Sequence, residues 1–183
     1  MVERESICHP KGMICMENND EARAQLWELI KDIKFAMLTT HHEDGRMHSR
    51  PMTTQNSELT GDDCLWFFMS RKSESLDDMM RDSNVALSYA HPGKDRYVSV
   101  SGIGHIDNDI ERIRALWTKF AEAWFPGGPE DPDLALVEVR ITHAHYWDVK
   151  DSKITQLFKI ARATVTGTPP TNLGESAEVR MTV

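Results

Sequence analysis

The segment His48-Ser49-Arg50-Pro51-Met52 places a cation where it could bind an anion. Alternate side chains of a β-strand share one face, so His48, Arg50 and Met52 are expected to lie together. An arginine in a half-buried strand is costly unless an anion pairs with it, and its fork of N–H groups matches a phosphate. The alternative is an internal salt bridge from Arg50 to an Asp or Glu.

A second segment runs from an aromatic strand into hydroxyls and cations at the start of a predicted helix. It consists of Trp66, Phe67, Phe68, Met69, Ser70, Arg71, Lys72 and Ser73. Hydroxyls, a lysine and the free N–H groups of a helix N-terminus together make an anion site. The apolar strand beside them offers a wall for a planar ring. The alternative is that the aromatics are core residues and the cations are solvated.

The two segments together predict one site for a ligand with a planar ring at one end and a phosphate at the other. Arg50 and Lys72 would converge on the phosphate. Two charge-assisted contacts of roughly 1.5–3 kcal/mol each would help to hold it. Such contacts are needed because the formal net charge of the chain is −8, which repels an anionic ligand. This acidity also argues against unspecific binding to nucleic acid or to anionic membranes.

Length and composition predict one soluble domain. The chain has 183 residues, of which 40% are hydrophobic and 27% charged. It has no run of about 18 apolar residues that could cross a membrane. Its start carries charges where an export signal needs an apolar stretch. With 3 cysteines, an odd number, we expect reduced thiols and a cytoplasmic protein.

The sequence offers no persuasive metal site and no familiar nucleophile motif, so none is predicted. The segment 8–15 holds two cysteines and a histidine without a second pair at zinc-finger spacing. His41 and His42 are adjacent, so on a strand they would point to opposite faces. His143 and His145 share a face but lack a third ligand at a telling spacing. No Gly-x-Ser-x-Gly or nucleotide-binding glycine loop is present.

Hydrophobic periodicity and turn signals predict a mainly β fold with flanking helices. Helices are predicted over 19–33, 73–82, 108–125 and 154–165, and strands over 35–41, 46–55, 64–70, 84–91, 96–106 and 135–149. Tight turns imply antiparallel pairing, hence a six-stranded antiparallel barrel with helices outside it. Pro51 marks an edge or an irregularity. The predicted domain covers 19–167, between an arm, 1–18, and a flexible tail, 168–183.

An ordered set of motifs resembles the general stress protein 26 group of the pyridoxamine 5′-phosphate oxidase-like flavin-binding split barrels. Besides the two segments above, they are 35–40, Gly45, 100–104, 124–129, 131–133 and 146–148. The segment Trp124-Phe-Pro-Gly-Gly-Pro129 followed by Tyr146-Trp-Asp148 is the most specific. The resemblance runs from about 19 to 167.

The resemblance implies a split barrel and a homodimer that binds FMN, or FAD as the alternative, in a cleft between subunits. The implied cofactor-binding residues are His48, Ser49, Arg50, Pro51, Met52, Trp66, Phe67, Phe68, Met69, Ser70, Lys72, Ser73, Trp124 and Trp147. Of these, Arg50, Lys72 and Ser73 would approach the phosphate arm. Trp124 and Trp147 would reach the ring from the partner subunit.

Three functions remain open at the level of sequence. The first is an FMN-dependent oxidoreductase, the second a flavin-storing or flavin-sensing stress protein, and the third a structural dimer without flavin. True pyridoxamine phosphate oxidases end in an Arg-x-His segment, whereas this chain ends Glu178-Val-Arg-Met-Thr-Val183. Oxidation of pyridoxamine phosphate is therefore not expected. No catalytic acid or base stands out, although His48 and Ser49 are candidates for proton transfer beside the ring.

Overall fold

The computed structural model describes residues 19–59, 62–149 and 175–180. Its helices are α1 (Asn19–Ile33), α2 (Glu74–Arg81) and α3 (Ile110–Leu116). Its strands are β1 (Phe35–His41), β2 (Met47–Thr53), β3 (Cys64–Ser70), β4 (Asn84–His91), β5 (Arg96–Asp107), β6 (Leu134–Asp148) and β7 (Glu175–Arg180). The predicted arm and the predicted helix over 154–165 lie outside the described residues.

The strands form one antiparallel sheet in the order β2-β1-β4-β5-β6-β3, curled into a split barrel. The predicted six-stranded barrel is therefore confirmed. Pro51 lies on β2 at one end of this order, where a strand can do without the N–H that proline lacks. Just past β2, the N–H of Gln55 donates a 2.9 Å hydrogen bond to the carbonyl of Trp66 on β3, which draws the two ends of the sheet together.

The long strand β6 carries two neighbours on one edge. Its first half pairs with β3, and 143–148 pair with β7. The expectation of a flexible tail over 168–183 is therefore wrong for 175–180, which form a strand. The pairing of β7 with β6 is stabilised by Val179, because the side chain of Val179 is buried in the main core. The polar composition of the tail concealed this buried apolar residue.

The main core fills the barrel and is covered by α1. The apolar residues that recur at helical spacing along α1 are buried: Ala22, Leu26, Leu29, Ile30 and Ile33. Strand β3 is buried on both faces, which explains its unbroken apolar sequence. Leu65, Phe67 and Met69 belong to the main core, whereas the side chains between them pack into a second cluster under α3.

The long helix predicted over 108–125 is wrong beyond its first two turns. Helix α3 ends at Leu116, and Trp117 turns into an extended conformation. On a continuous helix Trp117 and Phe125 would be about 12 Å apart along the axis. Both instead pack into the second cluster, so the chain folds back through a short 3-10 turn at Ala121–Ala123. Phe120 is left exposed, although on the predicted helix it would share one apolar face with Ile113 and Trp117.

Within the described ranges, no helix has the length and apolar character needed to cross a membrane.

Candidate functional site

A cavity of about 420 Å³ opens beside strand β2, the end of β3 and the start of α2. It is lined by these predicted site residues: Arg50, Pro51, Met52, Phe68, Met69, Ser70, Ser73 and Trp124. The two segments singled out in the sequence therefore meet in one place. They meet because β2 and β3 are the two ends of the sheet order and the barrel curls until those ends face each other.

Arg50 supplies the cation of this cavity. Its side chain lies on the half-buried face of β2 together with His48 and Met52, as the strand alternation predicts. Among the residues that the structure describes, Arg50 makes no salt bridge, and the alternative of an internal ion pair is therefore not observed. A half-buried guanidinium without a carboxylate partner is suited to bind an anionic ligand.

The residue before α2 supplies a hydroxyl to the same cavity. Ser73 is the residue immediately before the helix, and its Oγ is buried without a hydrogen-bond partner in the described part of the chain. The first N–H groups of a helix also lack partners within the helix and attract anions. An orphaned hydroxyl beside a helix N-terminus and an unpaired arginine fits a phosphate group.

Asp133 lines the cavity and was not predicted as a site residue. Its Oδ2 accepts a 2.8 Å hydrogen bond from the hydroxyl of Ser70. Its Oδ1 is buried without a hydrogen bond and lies 3.9 Å from Nζ of Lys72. The motif 131–133 belonged to the family resemblance, but nothing in its sequence showed that the loop before β6 returns to the end of β3.

Aromatic side chains form the open rim of the cavity. Trp124 is 71% exposed, Phe120 58% and Phe35 57%. Large apolar side chains grouped around a concave site are typical of a surface that another molecule covers. Phe35 and Phe120 were missed because the sequence assigned one to a barrel strand and the other to the core face of a helix.

The remaining predicted site residues lie outside this cavity in the chain itself. Phe67 is a core residue, and the ring of Trp66 packs in the second cluster with the guanidinium of Arg112 4.6 Å from its centroid. Ser49 hydrogen-bonds to Thr39 on the outer face of the sheet. Lys72 is largely exposed at the rim, near Asp133. Far along β6, the ring of Trp147 stacks on His145 at 4.2 Å.

His48 also turns away from the cavity and stacks on His42, with 4.3 Å between ring centroids. Nδ1 of His42 lies 2.9 Å from Oδ1 of Asp78, and this carboxylate raises the pKa of His42. Burial alone would raise the pKa of Asp78, but hydrogen bonds from His42 and Thr40 outweigh it and lower that pKa. The sequence suggested neither the stacking of His48 on His42 nor the contact of His42 with Asp78, because His42 belongs to a turn and Asp78 is distant along the chain.

The chain is similar in sequence and in structure to several known proteins. The chain is 30% identical over 161 residues to Protein bli-3 of Neurospora crassa, covering 83% of this chain and 77% of that protein. The crystal structure of the general stress FMN/FAD binding protein from Xanthomonas citri is 31% identical, with a TM-score of 0.63. It aligns with 73% of this chain and with 92% of that one.

A more distant structure shows that the fold extends over most of the chain. It is a pyridoxamine 5′-phosphate oxidase-related, FMN binding protein from Nostoc punctiforme PCC 73102. Its identity is 12% and its TM-score 0.58, and the alignment covers 92% of this chain and 99% of that one. The family model described as pyridoxamine 5′-phosphate oxidase like matches residues 21–171. The resemblance drawn from the motifs is thereby confirmed, and the chain belongs to the pyridoxamine 5′-phosphate oxidase-like family.

Proposed function

We propose that the chain binds a flavin in the cavity between β2, β3 and α2, with FMN as the expected form and FAD as the alternative. One observation carries the proposal: Arg50 and Ser73 line the same cavity, and among the described residues neither the guanidinium of Arg50 nor the hydroxyl of Ser73 has a polar partner. The cavity volume of about 420 Å³ lies in the range of small-molecule sites. The name of the Xanthomonas citri relative, an FMN/FAD binding protein, supports the same ligand.

The lining divides into a polar end and an apolar wall. Arg50, Ser73 and the first N–H groups of α2 would hold the phosphate, with Lys72 adding positive charge from the rim. Met52, Phe68 and Trp124 would contact the ring, and Asp133 would accept hydrogen bonds from hydroxyls of the ligand. The distribution suits a molecule that is planar and apolar at one end and anionic at the other.

A second copy of the chain is the proposed cover of the cavity. Phe35, Phe120 and Trp124 leave an apolar rim that a monomer would expose to water. Burial of such side chains stabilises an interface by roughly 25 cal/mol for each Å² removed from water. Trp147, which lies outside the cavity of its own chain, would then approach the partner's site. Sedimentation of the flavin-loaded protein is expected to give a dimer, and a monomer that keeps its flavin at full affinity would contradict this arrangement.

The proposed activity is that of a flavin-dependent oxidoreductase with an unidentified substrate. A bound flavin supplies the electron-transfer or hydride-transfer chemistry, and the chain would bind it, orient it and restrict the access of water. Among the described residues that line the cavity, the ionisable ones are Arg50 and Asp133, and no histidine, cysteine, lysine or tyrosine is among them. Because so few acid–base groups line the cavity, a flavin-storing or flavin-sensing protein is the second candidate.

The absorption spectrum of the purified protein tests the ligand. A flavin spectrum, with FMN identified by mass after release, is expected. A colourless protein that stays colourless after incubation with FMN would overturn the proposal and favour the structural dimer. Reduction of the yellow protein by NADH or NADPH, followed by reoxidation, would favour the oxidoreductase. Bound flavin that is not reduced would favour storage or sensing.

A further inference from the structure

A cluster of two histidines and two carboxylates joins the turn after β1 to helix α2. Nε2 of His42 lies 3.5 Å from Oε1 of Glu74, and Nδ1 of His48 lies 3.9 Å from Oε2 of the same carboxylate. These separations exceed the usual length of an N–H···O hydrogen bond. Below them, Asp78 contacts the other nitrogen of His42. None of these contacts is used by the proposed flavin site.

The separations match those between neighbouring ligands of one metal ion. Zinc binds histidine nitrogen and carboxylate oxygen at about 2.0–2.2 Å, which places tetrahedral ligands roughly 3.4 Å from each other. The 3.5 Å between His42 and Glu74 agrees with that spacing, and the 3.9 Å between His48 and Glu74 exceeds it slightly. Ligand atoms of His42, His48 and Asp78 also lie within 4.8 Å of one another, but Asp78 contacts Nδ1 of His42, and Glu74 is the carboxylate on the Nε2 side.

Asp78 lies where a carboxylate commonly orients a metal-binding histidine, at the ring nitrogen that does not face the ion. Its side chain is fully buried, and it accepts hydrogen bonds from Thr40 at 3.0 Å and Arg81 at 2.7 Å. Held in this way, it fixes the hydrogen on Nδ1 of His42 and leaves the lone pair of Nε2 directed outward. A carboxylate that orients a histidine through its second nitrogen is the common arrangement around protein-bound metals.

His48 has the freedom to complete the site. Its ring stacks on His42 with 15° between the planes, so an ion in the plane of His42 requires the ring of His48 to turn about its Cβ–Cγ bond. The side chain is 35% exposed, which leaves space for that rotation. Glu74 is more than half exposed and can adjust as well.

We propose that His42, His48 and Glu74 bind a divalent transition-metal ion, with Zn²⁺ as the expected ion and Asp78 orienting His42. Two imidazoles and a carboxylate form a ligand set that zinc uses, and they leave a fourth position for water. His48 lies two residues before Arg50 on the same face of β2, and Glu74 follows Ser73. The ion would therefore link the turn after β1 to the start of α2, at one end of the cavity.

Calorimetric titration of the chelator-treated full chain with ZnCl₂ tests the site, with metal content after dialysis as a second measurement. About one equivalent is expected to bind. The variants His48→Ala and Glu74→Gln are expected to weaken that binding by at least about tenfold, and Asp78→Asn by about 10- to 100-fold. The first two change side chains that are 35% and 54% exposed, so they keep the test informative if Asp78→Asn fails to fold.

His41→Ala is the matched control, because its ring lies beside Asp82, outside the cluster, and the affinity for zinc should stay unchanged. His143 and His145 are the competing site, and their double substitution by alanine should also leave the affinity unchanged. Retention of full affinity by His48→Ala and Glu74→Gln would overturn the proposal. So would loss of zinc from the double variant or the absence of binding by the unaltered chain.

Discussion

The hydroxyl of Ser70, at the end of β3, donates a 2.8 Å hydrogen bond to Oδ2 of Asp133, in the loop before β6. A backbone hydrogen bond of 2.7 Å from Arg71 to the carbonyl of Asp133 runs beside it. Both Ser70 and Asp133 line the cavity. The position of this loop relative to β3, and with it one side of the cavity, therefore depends on a small polar junction.

Replacement of Ser70 by alanine is expected to lower the free energy of unfolding by about 1–2 kcal/mol, because a hydrogen bond to a charged acceptor is lost. Urea unfolding of the flavin-free protein measures the change. Ser57→Ala, at an exposed bend, is the control and should have little effect. Equal stability of the two variants would mean that the junction contributes nothing.

The sequence predicted this end of the fold in part. Strand β3 was found at its observed bounds because an unbroken apolar run between polar residues is a strong local signal. The break after Leu116 was missed because the residues beyond it repeat at helical spacing, and only the packing of Trp117 against Phe68 shows where the chain turns. Apolar residues at helical spacing indicate that these side chains are buried. The spacing does not show whether they all lie on one continuous helix.

The site was predictable where strand alternation and motif order determine position. Arg50 and Met52 share a face for that reason. Lys72 was expected to converge with Arg50 on one phosphate, but its amino group lies 3.9 Å from a carboxylate oxygen of Asp133, and Ser73 lines the cavity whereas Lys72 does not. The pairing of His42 with Asp78 depends on how α2 packs on β1, and no local pattern contains that information.

Two glycines of β5 lie so close to their neighbours that an added methyl group would test how tightly the barrel is packed. A Cβ on Gly102, at the bulge of β5, would lie 2.6 Å from the backbone carbonyl oxygen of Arg140. A Cβ on Gly104 would overlap the sulfur of Met79, which ends a flexible side chain and can move. Gly102→Ala is therefore expected to cost about 2–3 kcal/mol and Gly104→Ala about 1 kcal/mol. Urea unfolding measures both, and the reverse order of the two losses would refute this explanation.

The buried thiol of Cys64 is expected to resist alkylation. Burial, together with the neighbouring carboxylate of Glu138, raises the pKa of Cys64 to about 12. Because the thiolate is the reactive form, very little of it is present in the folded protein at pH 8. Peptide mass spectrometry after iodoacetamide treatment should show Cys64 unmodified in the folded protein and modified in urea. Comparable modification under both conditions would contradict the burial of this thiol.

The central claim is that Arg50 holds the phosphate of a bound flavin, and the affinities of FMN and riboflavin for Arg50→Ala test it most directly. Fluorescence titration of the flavin-free variant is expected to show FMN binding weakened by about ten- to a hundredfold, the loss of one charge-assisted contact. Riboflavin, which lacks the phosphate, should lose far less. Arg46→Ala, an exposed arginine on the same hairpin, is the control and should bind both ligands normally. Equal losses of FMN and riboflavin in Arg50→Ala would contradict the claim.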